Sequence, residues 1–236
     1  MMIEPVKRLN VGDEIVNQIK DLFLAGKLKE GDRLPPEREM MDMFHVGRTS
    51  VREALKVLES LGLIERSQKG TFISTDFNAS FAESLVYQFY FSEAEWDDIF
   101  EARCIIEKEL TSLAAKRASK EELMEIEQTI DDMEIAINEY NQENYVKSNM
   151  MFHQKIAIVA KNVVMLDMYH SISSLILRIQ EVLGTHHKSI FVKSVMRDSL
   201  QYHREIMNAL YNQDAKKAST LMENHIQIVQ GYFKKA

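Results

Sequence analysis

The chain has 236 residues, 45% hydrophobic and 28% charged, which excludes a wholly disordered polypeptide and allows one large core or two modest ones. Apolar runs of only a few residues exclude a membrane span. The opening Met1-Met2-Ile3-Glu4-Pro5 predicts no secretory leader, and the single Cys104 excludes a disulfide framework and predicts a reducing cytoplasm. The net charge of −7 argues against a nucleic-acid binder only until it is divided: residues 1–75 hold 12 Lys and Arg against 12 Asp and Glu, the remainder 17 against 24.

Six of the eight glycines and all three prolines lie in the first 70 residues. A turn-rich front and a glycine-poor rear predict two domains, 1–75 and 80–236, joined by a linker at 76–79. In the front, Val11, Ile15, Ile19, Leu22 and Phe23 recur at helical spacing after Asn10, a candidate N-cap, and Gly26 ends the helix. Gly31 to Pro36 form a turn, and Pro36 is suited to open a second helix reaching about Phe44. His45-Val46-Gly47 then leads into a third helix, Arg48 to Leu61, stopped by Gly62, with Val51, Ala54, Leu55 and Leu58 on its apolar side. Leu63–Arg66 and Thr71–Ser74 alternate like paired strands around the tip Ser67-Gln68-Lys69-Gly70. Helix, helix, turn, helix and hairpin is the order of a winged helix-turn-helix.

Arg48, Arg52 and Lys56 stand at i, i+4 and i+8, so a cationic stripe runs down the third helix opposite its apolar side. Thr49 shares the first turn, where a recognition helix presents side chains to base edges, and Arg38 projects from the preceding helix. A guanidinium can take guanine O6 and N7 together, whereas Lys mostly supplies attraction to phosphate. A solvated charged face would account for a bare stripe, since Glu53 and Glu59 share the helix. The helix-turn-helix spacing and the attached wing favour the DNA-binding reading.

Three segments, Arg33-Leu34-Pro35-Pro36-Glu37-Arg38-Glu39, Val46-Gly47-Arg48-Thr49-Ser50-Val51-Arg52-Glu53-Ala54-Leu55 and Leu58-Glu59-Ser60-Leu61-Gly62-Leu63-Ile64, resemble the DNA-binding domain of GntR-family transcriptional regulators. The resemblance implies that Arg38, Arg48 and Arg52 contact DNA and that the wing tip enters the minor groove. Gly47 stands where the family usually has Ser or Thr, and Lys69 where the wing often has Gly, adding a charge near phosphate.

The rear part reads as amphipathic stretches of roughly 15–24 residues, the pattern of an antiparallel bundle. Its breaks fall at Ala118–Lys120, Asn141–Glu143, Lys161-Asn162, Gly184–His187 and Asn212–Asp214. The expected class is therefore mainly α: a winged helix-turn-helix followed by an all-helical bundle, with no alternation that suggests a mixed α/β effector domain.

His153, His203 and His225 each sit on an apolar stripe of this bundle, with Asn149 one turn before His153, while His186 and His187 fall in a loop and His170 on a more polar side. Two readings stay open from spacing: packed core histidines, or convergence on one transition-metal ion. Glu101-x-Arg103-x3-Glu107, Leu113-Ala114-Ala115, Asn149-x2-Phe152-His153 and the late histidines 22 residues apart resemble the FCD effector domain of the FadR subfamily. The resemblance implies a divalent metal, Zn or Ni, on Asn149, His153, His203 and His225; a neutral carboxamide in place of the usual carboxylate lowers the expected affinity. Arg103 is either an i, i+4 ion pair with Glu107 or a clamp for an effector carboxylate. The resemblance implies a small carboxylic acid as the effector, since members of this type mostly respond to such acids.

Two classes of function follow: an effector-responsive regulator, homodimeric on a palindromic operator and acting as a repressor, or a metal-dependent enzyme with an accessory winged helix. A sensor of the metal itself would use the same residues. Met, Leu and Ile are the expected neighbours of the histidines, which leaves an enzyme without a general base and favours the regulator.

Overall fold

The computed structural model describes residues 11–75, 91, 95–183 and 193–233. The chain divides into two compact units, Met1–Phe81 and Ala82–Ala236. The expected linker at 76–79, the candidate cap Asn10, and the Gly184–His187 break with its two histidines lie outside the described residues.

In the first unit, α1 (Val11–Leu24), α2 (Glu37–Phe44) and α3 (Arg48–Ser60) precede the antiparallel strands β1 (Ile64–Ser67) and β2 (Gly70–Ile73). The spacing of Val51, Ala54, Leu55 and Leu58 puts all four on the buried side of α3. They pack with Ile15, Val16 and Ile19 of α1, Met40 of α2, and Ile64 and Ile73 of the hairpin. Pro36 occupies the N-cap of α2 rather than its first helical position. The hairpin pairs Ile64 with Ile73 and Ser67 with Gly70, so a two-residue turn, Gln68-Lys69, replaces the wider tip expected from the sequence. On its other edge β2 accepts from the Gly31 and Leu34 amides and donates to Asp32 through the Ile73 N–H. Gly70 has φ +133°, and a Cβ there would lie 2.9 Å from the Arg33 Nε.

The second unit contains α4 (Trp96–Arg117), α5 (Lys120–Asn138), α6 (Gln142–Val159), α7 (Val163–Leu183), α8 (Lys193–Tyr211) and α9 (Ala215–Phe233). Four of the expected breaks coincide with described helix ends. Capping explains two starts: Ser119 and Glu122 form a reciprocal capping box on α5, and Asn141 accepts from the Asn144 amide on α6. Helix α5 packs against α6 and α8, α8 against α9, and α4 against α9, α6 and α7. The main core includes Phe100, Ile126, Met133, Phe152, Ile206, Leu210 and Met222. No described helix is long and apolar enough to cross a membrane.

Candidate functional site

Each unit carries a cluster of polar groups that packing alone does not explain. In the first, Arg48, Thr49, Arg52 and Lys56 are exposed on α3, opposite its buried stripe, and Arg38 and Lys69 are exposed on α2 and at the wing turn. The first turn of α3 holds no acid and its N-cap, Gly47, supplies no side-chain bond. Glu37, at the start of α2, accepts from the Arg48 Nε at 3.3 Å and from an Arg66 terminal nitrogen at 3.0 Å. It therefore ties α3 to β1. Neither Glu37 nor Arg66 stood out in the sequence, because the contact joins residues 29 apart.

In the second unit four helices converge. Arg103 and Glu107 come from α4, Asn149 and His153 from α6, His203 from α8 and His225 from α9. The three histidines are 3%, 0% and 2% exposed, and their ring nitrogens include one from each that all lie within 4.8 Å of one another. Nε2 of His153, both nitrogens of His203 and Nδ1 of His225 have no hydrogen-bond partner among the described residues. Leaving such a buried group unpaired costs about 1–3 kcal/mol. Burial, then the neighbouring imidazoles and Arg103, hold His203 well below the usual histidine range, and the same forces do so for His225. Both rings are thus neutral at pH 7, with lone pairs turned toward a shared space. Borderline nitrogen donors, neutral, unpartnered and within a few ångströms, fit a divalent transition metal.

The Arg103–Glu107 ion pair is present, at 2.5 Å, and the same carboxylate reaches across to His153 Nδ1 at 2.5 Å. Burial opposes ionisation of Glu107, but Arg103 and His153 together outweigh it and hold the carboxyl far below its ordinary range. This corrects the expectation that only Met, Leu and Ile neighbour the histidines. An acid on the stripe Phe100, Glu107, Leu110, Ala114 was the signal, since an unpaired carboxylate there is too costly to bury.

Beside these groups lies a cavity of about 130 Å³ lined by Arg103, Tyr145, Asn149, His153, Tyr169 and His225, among others. His203 sits behind that lining, its ring 4.4 Å from Phe152 between centroids. Burial pushes the Tyr145 hydroxyl up to about 12, so it stays protonated, and it donates to the Met196 carbonyl at 3.3 Å. Ser173 and Ser199 complete a polar arc, and Phe100, Val146 and Ile176 supply apolar wall. His170, expected on a polar side, is half-buried, and its Nε2 has no hydrogen-bond partner among the described residues.

Residues 11–73 match the family described as bacterial regulatory proteins, gntR family, and residues 98–228 match the FCD domain. The chain is 32% identical over 233 residues to the uncharacterized HTH-type transcriptional regulator YcbG of Bacillus subtilis, covering 98% of this chain and 93% of the relative. It is 24% identical to the HTH-type transcriptional repressor NanR of Klebsiella aerogenes, over 95% of this chain and 86% of that one. Among solved structures, a GntR protein of Streptococcus agalactiae superposes with a TM-score of 0.71 at 25% identity, over 93% of this chain and 99% of the other. A winged helix-turn-helix with an exposed cationic recognition helix, followed by an FCD bundle, makes the chain a member of the GntR family: a DNA-binding transcriptional regulator with an effector-binding domain.

Proposed function

We propose that the chain is a cytoplasmic, homodimeric repressor that binds a palindromic operator and releases it when a small carboxylic acid occupies the FCD bundle. One observation carries the effector half: a single cavity joins the Arg103 guanidinium, the Asn149 carboxamide and two histidines of a cluster in which each ring leaves at least one nitrogen without a hydrogen-bond partner among the described residues. Asn149, His153, His203 and His225 would hold a Zn or Ni ion, which when bound supplies a positive anchor for a carboxylate oxygen. Arg103 would take the other oxygen, and Ser173 and Ser199 suit hydroxyl groups farther along the acid. On DNA, Arg38, Arg48, Thr49 and Arg52 would read base edges and phosphates in the major groove, and Lys69 would approach phosphate from the wing. The uncapped, acid-free start of α3 favours phosphate as well. Repression follows the printed name of NanR.

Turnover has less support. Glu107, the carboxylate beside the histidines, is already shared between Arg103 and His153 and is buried away from solvent. The test is a thermal-shift screen of small carboxylates with and without Zn or Ni, followed by gel shifts on operator fragments selected by the protein. Raised stability that needs both acid and metal, with loss of operator binding by the same acid, is the expected result. Conversion of an acid by the metal-loaded protein would favour the enzyme instead.

A further inference from the structure

Glu107 carries more than an ion pair requires. An i, i+4 pair with Arg103 is satisfied on the surface of one helix, yet here the carboxylate is 3% exposed and its second oxygen crosses to another helix, 46 residues away. Both of its partners must be donors, because an ionised carboxylate only accepts. Arg103 always donates. His153 must therefore carry a hydrogen on Nδ1, and in the neutral ring that leaves the lone pair on Nε2, the atom that is buried without a partner. Neither nitrogen of His203, nor Nδ1 of His225, is held by a hydrogen bond among the described residues.

We infer that Glu107 is a positioning residue: by holding the hydrogen of His153 on Nδ1 it turns the Nε2 lone pair toward the His203 and His225 rings and makes the cluster competent to take a divalent cation. This rests on the metal reading given above. Carboxylate partners of ligating histidines set the tautomer and raise ligand basicity, and their loss weakens metal binding roughly 10–100-fold. Glutamine is the informative replacement. Its amide has one acceptor face and one donor face, whereas Arg103 and His153 Nδ1–H both need an acceptor. With the amide oxygen on Arg103, the NH2 group meets Nδ1, the hydrogen moves to Nε2, and the cluster is blocked by an N–H.

The experiment uses the full-length protein, ¹⁵N-labelled and stripped of metal with a chelator, at pH 8. Long-range ¹H–¹⁵N correlations, with His153→Gln identifying the ring, should show His153 protonated on Nδ1 and bare at Nε2. A competition titration with zinc alone against a chromophoric chelator should then give Glu107→Gln an affinity about 10–100-fold below wild type, with an unchanged far-ultraviolet dichroism spectrum. A wild-type His153 that carries its hydrogen on Nε2, or on both nitrogens, overturns the assignment. So does a folded Glu107→Gln that takes zinc as tightly as wild type. If Glu107→Gln does not fold, the wild-type spectrum alone decides. Wild-type protein that takes up neither zinc nor nickel would sink the metal reading, while the tautomer would still be read from the same spectrum.

Discussion

His203 shows at the level of one residue why the bundle is more than a core. Its ring is fully buried, both nitrogens lack hydrogen-bond partners among the described residues, and Phe152 covers one side. Replacing an unsatisfied polar group by an apolar one of similar size is nearly neutral or stabilising, so His203→Leu should change the unfolding free energy of metal-free protein by no more than about 1 kcal/mol. The same substitution should abolish the stabilisation that Zn or Ni gives to wild type, since a ligand bound only by the folded state raises its stability. Thermal melts with metal and with chelator separate the two effects; loss of several kcal/mol without metal would mark His203 as a packing residue only. Acid should act on the same groups. His203 and His225 take up protons in the unfolded chain near the ordinary histidine pKa of about 6.5 but stay neutral when folded. The unfolded state then binds more protons, so stability of the metal-free protein is full above about pH 6.5 and falls as pH drops below it. Denaturant midpoints at pH 8 and pH 5.5 test that sign. The inward placement of the three histidines was legible from apolar stripes at helical spacing. The contact between Glu107 and His153 was not, because periodicity gives a face and not the partner across it.

Helix ends decide the next scale. Three of the rear turns are made without glycine: Tyr140, Lys161 and Gln213 each adopt a left-handed conformation, with φ of 57°, 52° and 54°. At two of these ends the following amide closes on a carbonyl five residues back, Asn141 on Ala136 and Asp214 on Ala209. A side chain in that conformation costs about 1–2 kcal/mol relative to glycine. Gln213→Gly, at an exposed site, should therefore stabilise the second unit by about 1 kcal/mol despite the added freedom of the unfolded chain, as a raised denaturant midpoint would show. The breaks themselves were readable from Ser119, Asn141, Asn162 and Asp214, polar residues that compete for backbone bonds. Each wing strand lies one residue nearer the tip than the sequence suggests, because Ser67 and Gly70 look like turn residues yet pair with each other. On α3 the exposed stripe gives a sharper expectation. Arg48→Ala and Arg52→Ala should each weaken specific operator binding by about 1–3 kcal/mol while leaving helicity intact, since neither belongs to the packed side. Unchanged affinity and base preference in gel-shift titrations would count against this face.

For the molecule as a whole, the proposed regulation is a coupling free energy between the cavity and the operator. An effector that lowers operator affinity must itself be weakened by operator DNA to the same factor, typically about 1–3 kcal/mol. Arg103→Ala should keep operator binding and lose the effector response, giving a protein that stays bound; a response equal to wild type would reduce Arg103 to its pairing with Glu107. The acidic excess of residues 76–236 repels phosphate, so it restricts non-specific attraction to the neutral residues 1–75. Within the first unit, Gly70 lies against Arg33, and Glu37 grips both Arg48 and Arg66. The hairpin and the recognition helix are thereby braced as one body, so in a complex where α3 met a major groove and the wing the neighbouring minor groove, the deformation would fall on the DNA. Operators with a flexible pyrimidine–purine step between those two contacts should bind more tightly than stiff ones carrying identical contacted bases. Equal affinities across such a set would mean that the brace gives way and the protein does the bending.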